Sequence, residues 1–157
     1  MYNTLLVRVA ESLSDVPGIR RVLVGLEETG DTPCIRLWIN SIHQPDQTPY
    51  RRHLREIVTV AVQVDSFPGR DRRAGYLRSL EAVAQVKARL EQLRLLSRAP
   101  ERPALPLASP EYQLLKLPDA DAMVHLLTCP FESSVDCVTG ETDFLLPPLE
   151  GAKNERV

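Results

Sequence analysis

The chain has 157 residues, enough for one domain with a buried core and short for two. Its 43% hydrophobic and 25% charged residues are ordinary for a globular protein, and no apolar run approaches the ~20 residues a membrane-spanning helix needs, so no membrane partner is expected. A net charge of −2 argues against a dedicated DNA binder, and three cysteines without CxxC spacing point to buried free thiols rather than a disulfide frame or zinc site.

The opening residues, MYNTLLVRVAES, lack a basic start followed by an apolar block, so no secretory signal is expected and cytosolic synthesis is the default. Leu5, Leu6, Val9 and Leu13 recur at helical spacing, which predicts a helix over Tyr2 to Leu13 capped by Asn3 or Thr4. Asp15-Val16-Pro17-Gly18 ends it, since proline cannot continue a helix and glycine permits the turn. Ile19 to Leu26 reads as a short strand, and Glu27 to Pro33 as a polar turn region. Cys34 to Ile42 reads as a second strand, with Ile35, Leu37 and Ile39 facing one way and Arg36, Trp38 and Asn40 the other.

The strongest strand signal is REIVTVAVQVD, Arg55 to Asp65. Val58, Val60, Val62 and Val64 alternate with Ile57, Thr59, Ala61 and Gln63, so the valine face must be covered and the other face, half polar, partly so. With the loop from His43 to His53, this strand and the previous one form a long-looped antiparallel hairpin. Phe67-Pro68-Gly69 turns the chain into a helix over Arg72 to Ser97, which Asp71 caps. Tyr76, Leu80, Val83, Val86, Leu90 and Leu93 make its apolar stripe, widened at the end by Leu95 and Leu96.

Beyond the helix, four prolines between Ala99 and Pro110 make an extended connector. Tyr112 to Leu117 reads as a strand, and Ala120 to Cys129 fits helix and strand equally. Ser134 to Val138 and Thr142 to Leu146 read as a hairpin around Thr139-Gly140-Glu141, with a loose tail from Pro147. The expected fold is α+β: a mainly antiparallel sheet with a long hairpin, packed against an N-terminal helix and a long central helix. Residues 1–98 form its core, 99–110 the connector, and 111–157 the strands and acidic tail that complete or decorate the same domain.

Residue types and spacing show no trace of an active site. His43, His53 and His125 lack metal-ligand spacings, no glycine loop cradles a phosphate, and no serine sits in a nucleophile elbow. Neither a metal nor a cofactor is expected, and the chain reads as a non-enzyme. Charge is unevenly spread: residues 1–100 carry 15 Lys+Arg against 11 Asp+Glu, and residues 101–157 carry 4 against 10. Such a chain can present unlike faces to unlike partners, or carry a solvated acidic end. Two basic clusters stand out as protein-contact candidates, Arg51, Arg52 and Arg55 before and in the main strand, and Arg70, Arg72 and Arg73 at the start of the long helix. A strand of this length, at ~3.3 Å per residue, keeps the clusters apart. Cations in a first helical turn oppose the helix dipole, a cost that a partner carboxylate or phosphate offsets.

The layout of YNTLLVRVAESL, CIRLWINSI, the loop through YRRHL, REIVTVAVQVD and YLRSLEAVAQVKARLEQL resembles the tail terminator proteins of long-tailed bacteriophages, and small tail-completion and minor tail proteins of the same kind. The resemblance covers about two-thirds of the chain and rests on the order of elements. It implies a structural virion protein of the tail–neck region, assembled in the host cytoplasm. It also implies a hexameric ring on the last ring of tail tube protein, which stops tube growth and offers its other face to neck or head-completion proteins. DNA would pass through the lumen without specific binding. Family members usually finish with one or two strands returning to the sheet; here the proline-rich connector and a longer acidic segment intervene. Competing readings are another neck connector such as a stopper or adaptor ring, a non-viral α+β interaction module, and an enzyme whose site leaves no sequence trace.

Overall fold

In the computed structural model, residues 2–25, 33–45, 52–67, 69–96, 109–119 and 122–144 are described. Helix α1 spans Tyr2–Leu13 and strand β1 Arg21–Val24, followed by β2 (Cys34–His43) and β3 (His53–Ser66). Helix α2 spans Arg72–Leu96, and then come β4 (Glu111–Asp119), β5 (Ala122–Asp136) and β6 (Thr142–Phe144). The strands form one sheet in the order β1-β2-β3-β5-β4, with β6 also on β5. Only β1 and β2 pair in parallel among the described strands; every other pairing is antiparallel.

The valine alternation of β3 does what its period requires. Val58, Val60, Val62 and Val64 are fully buried, and each faces a residue of β5 across the ladder: Phe131, Cys129, Leu127 and His125. Ile35 and Leu37 of β2 extend this layer on the other side. Both helices lie on it. Helix α1 inserts Leu5, Val9 and Leu13 against β1 and β2, and α2 inserts Val83, Val86 and Leu90 beside β5. Full burial of each aliphatic side chain contributes about 1.5–3 kcal/mol, so this layer is the main source of stability.

The second sheet face is also partly covered, as its composition predicts. Ala61, Leu23 and Cys34 are buried there, while Ile57, Thr59 and Gln63 are half-buried. The turn after α1 has Gly18 at φ +83°, a conformation that suits glycine and lets the chain reverse into β1. A register shift between Ile39 and Ser41 places Asn40 in a bulge of β2.

Several sequence expectations change. Residues 122–136 are one strand, which resolves the stretch that fits helix and strand equally, and the expected hairpin around Thr139-Gly140-Glu141 is present, with the end of β5 as its first arm and β6 as its second. Leu95 does not widen the α2 stripe; it is 53% exposed, and the buried residue beside it is Arg94, ion-paired with Glu91. Cys34 and Cys129 are buried, but Cys137 is exposed. Strand β5 pairs with β3 along its whole length, so the basic and acidic parts of the sequence interleave in one sheet. The expected connector over 99–108 and the tail from Pro147 lie outside the described residues.

Candidate functional site

The two basic clusters occupy opposite ends of β3 and differ in how their charge is met. Arg51 lies outside the described residues. Arg52, just before β3, pairs with Asp136 at the end of β5, and Arg55 reaches Glu132 at 3.5 Å. These two contact candidates therefore bridge β3 and β5 side by side, and their charges are matched within the chain. Arg70, Arg72 and Arg73 are exposed around the start of α2. Asp71 sits among them as the helix cap, its Oδ1 accepting the Ala74 N–H at 3.1 Å.

Beside that helix start is an open groove of about 630 Å³, bounded by α2, the α1–β1 turn and the end of β3. Pro17, Ile19, Pro33, Val64, Phe67 and Ala82 make it largely apolar. Phe67, at its edge, is 56% exposed. Arg78 and Glu81 stand on the α2 side, and a Cβ added at Gly69 would lie 3.7 Å from the Arg78 guanidinium.

The opposite end of the sheet is built from the β2 and β3 strand ends and the β5–β6 hairpin. Here Asn40 to His43 are exposed, Ile42 by 46%, and Val138 in the β5–β6 turn is 75% exposed. This turn is tightly held. Asp136 accepts the backbone N–H groups of Val138 and Thr139 on Oδ1, at 2.9 and 3.3 Å. Its carbonyl accepts Gly140 N–H at 2.7 Å, and its own N–H donates to the Glu141 carbonyl at 2.8 Å. Cys137 N–H donates to the Arg52 carbonyl, and Gly140 takes φ +74°. The N–H of Val138 first, then that of Thr139 and Arg52, hold the Asp136 carboxyl below its ordinary value.

One arrangement resembles a nucleophile and its base. Nε2 of His125 lies 3.0 Å from Ser79 Oγ, and its Nδ1 lies 2.8 Å from Tyr112 Oη. Sequence reasoning missed this group because its members are 13 and 46 residues apart, with no local spacing to betray them. Ser79 lies on an inner turn of α2 and donates its proton to the Tyr76 carbonyl at 2.6 Å. Where Ser79 donates to that carbonyl, the matching tautomer carries the His125 proton on Nε2, given to Ser79, with Nδ1 accepting from Tyr112. In that tautomer the imidazole has no lone pair with which to take a proton from Ser79. His125 is fully buried, and burial holds its pKa below 6.5, in keeping with a neutral ring. The three side chains tie α2 to β4 and β5, a structural network that satisfies buried polar atoms.

A second buried polar group joins α1 to the sheet. Glu56 accepts hydrogen bonds from Tyr2 at 2.7 Å, Gln44 at 3.3 Å and Ser133 at 3.4 Å. Burial, followed by this carboxylate neighbour, pushes the Tyr2 hydroxyl up to about 12. Among the described residues no cluster of three or more His, Cys, Asp or Glu has metal-binding geometry. Neither the models of known protein families nor the curated proteins searched match this sequence.

Proposed function

We propose that this chain is a ring-forming structural protein of a long-tailed phage virion, of the tail terminator kind, capping the tail tube and joining it to neck or head-completion proteins. The observation that carries the reading is the polarity of the β3–β5 ladder. One end bears exposed arginines beside an apolar groove, and the other a rigid hairpin with an exposed valine. A subunit with unlike ends makes heterologous contacts, in which one surface meets a different surface on the next copy, and such contacts close into rings where the rotation from copy to copy returns to its start.

The order of elements supports the same reading. A helix, a long hairpin and a second packing helix are followed by strands that return to the same sheet. Matched charges at Arg52 and Arg55 leave one cluster, Arg70 to Arg73, to face partners. In this reading the ring passes DNA through its lumen without gripping it, and its two rims meet tube and neck.

Light scattering over a concentration series, with electron micrographs of the protein alone and added to growing tail tubes, tests the proposal. Rings of six that arrest tube growth are the expected result. A strict monomer that never joins a tail removes the reading in favour of a non-viral interaction module.

A further inference from the structure

We propose that the β5–β6 turn of one copy seats Val138 in the groove between α2 and the α1–β1 turn of the next copy. The inference rests on the ring reading above and names the contact that builds it.

Five observations converge on this pairing. Val138 is the most exposed large apolar residue among those described, at 75%. Its turn is fixed by Asp136, Arg52 and Gly140, so presenting the side chain to a partner loses little conformational freedom. The groove is apolar and, at about 630 Å³, takes a whole turn rather than one side chain.

The two features cannot meet within one chain. Asp136 pairs with His53 at one end of β3, while the groove is lined by Val64 and Ser66 at the other. Eleven residue steps of strand separate His53 from Val64, roughly 36 Å at the usual rise. Complementary knob and socket at opposite ends of a molecule join copies head to tail. Charge agrees with this register: Glu141, exposed beside the knob, meets the helix start that carries Arg70, Arg72 and Arg73.

One other way to join copies, edge to edge through β4, is disfavoured. That strand carries two register shifts and has Pro118 in its sequence, both of which blunt a sheet edge.

Native Cys137 adjoins Val138 and is exposed, whereas Cys34 and Cys129 are buried, so it serves as a reporter. Gln85 lies on the groove wall and is exposed. With a short bismaleimide, Gln85→Cys should yield a ladder of covalent multimers, and the same variant carrying Cys137→Ser should yield none. Mixing Gln85→Cys/Cys137→Ser with wild type should give cross-linked dimers and nothing larger, which shows that position 85 of one copy meets position 137 of another, while the ladder of the single variant marks the contact as head to tail. Val138→Asp should weaken association roughly tenfold or more while the circular dichroism spectrum and urea midpoint stay those of the wild type. Rings that persist in Val138→Asp, with no cross-link between positions 85 and 137, overturn this contact and leave the ring reading standing. A wild-type protein that stays monomeric at every concentration overturns both.

Discussion

Arg52 sets its Nε 3.0 Å from one carboxylate oxygen of Asp136 and 3.2 Å from the other, bracing from outside a turn that the same carboxylate braces from within. The pair is exposed on the arginine side, so Arg52→Ala should leave the global unfolding midpoint nearly unchanged. It should instead speed amide exchange at Val138 and Thr139, readable by NMR. Because the folded pKa of Asp136 lies below 3.8, the turn's added protection is present above that value and fades as pH falls through the folded pKa.

His125 gives a pH dependence of a different origin. Burial holds its folded pKa below 6.5, so the unfolded chain takes up a proton first as the solution is acidified. Stability should therefore decline from pH 6.5 downward until the folded pKa is reached. Urea midpoints between pH 7.5 and 5 check this, and His125→Gln should flatten the slope. His125→Ala should lower stability by about 2–4 kcal/mol, because it opens a cavity and strips Ser79 and Tyr112 of a partner.

The charge at the start of α2 should separate stability from assembly. Arg72 and Arg73 stand in the first turn, where the helix dipole disfavours cations. Arg72→Glu and Arg73→Glu should each raise stability by about 0.3–1 kcal/mol and together weaken association. Asp71→Ala, which removes the cap on Ala74 N–H, should lower stability by about 0.5–2 kcal/mol. Thermal melts and light scattering on the same samples read both quantities.

The thiols provide a simple check of burial. Cys137 should react rapidly with a thiol reagent in the native protein, while Cys34 and Cys129 should react only on unfolding. Burial pushes Cys129 up to about 12, which leaves almost no thiolate near neutrality. One fast equivalent followed by two slow ones is the expected trace.

Phe131 faces Val58 across the ladder and is fully buried. Phe131→Ala should cost about 3–5 kcal/mol, measured by urea denaturation, more than any of the surface substitutions above.

What the sequence made legible followed from local periodicity. The alternation of Val58 to Val64 identified β3 and its buried face, the stripe from Val83 to Leu90 placed α2 on the sheet, and Asp71 marked the helix start. Strand β5 was ambiguous because both phases of AMVHLLTCPF are apolar: the strand is an inner one, flanked by β3 and β4, with much of both faces covered, so no alternation marks it. The insertion of β5 between β3 and β4 had no local signature either, since it depends on contacts far apart in sequence. Of the contact candidates, the arginines were visible as charge, but sequence spacing could not show that Arg52 and Arg55 are matched by Asp136 and Glu132. The groove and the exposed turn appeared only once α1, α2 and the sheet were assembled.

The position of β5 also bears on how the chain is made. During translation, β3 emerges long before the strand that completes it, so the nascent polypeptide carries a long, valine-rich β edge with no partner. Pairing must wait for distant residues, which slows folding and favours aggregation of unfinished chains. Fragments that stop after α2 should therefore precipitate when expressed, and supplying residues 109–144 as a separate peptide should restore them to solution.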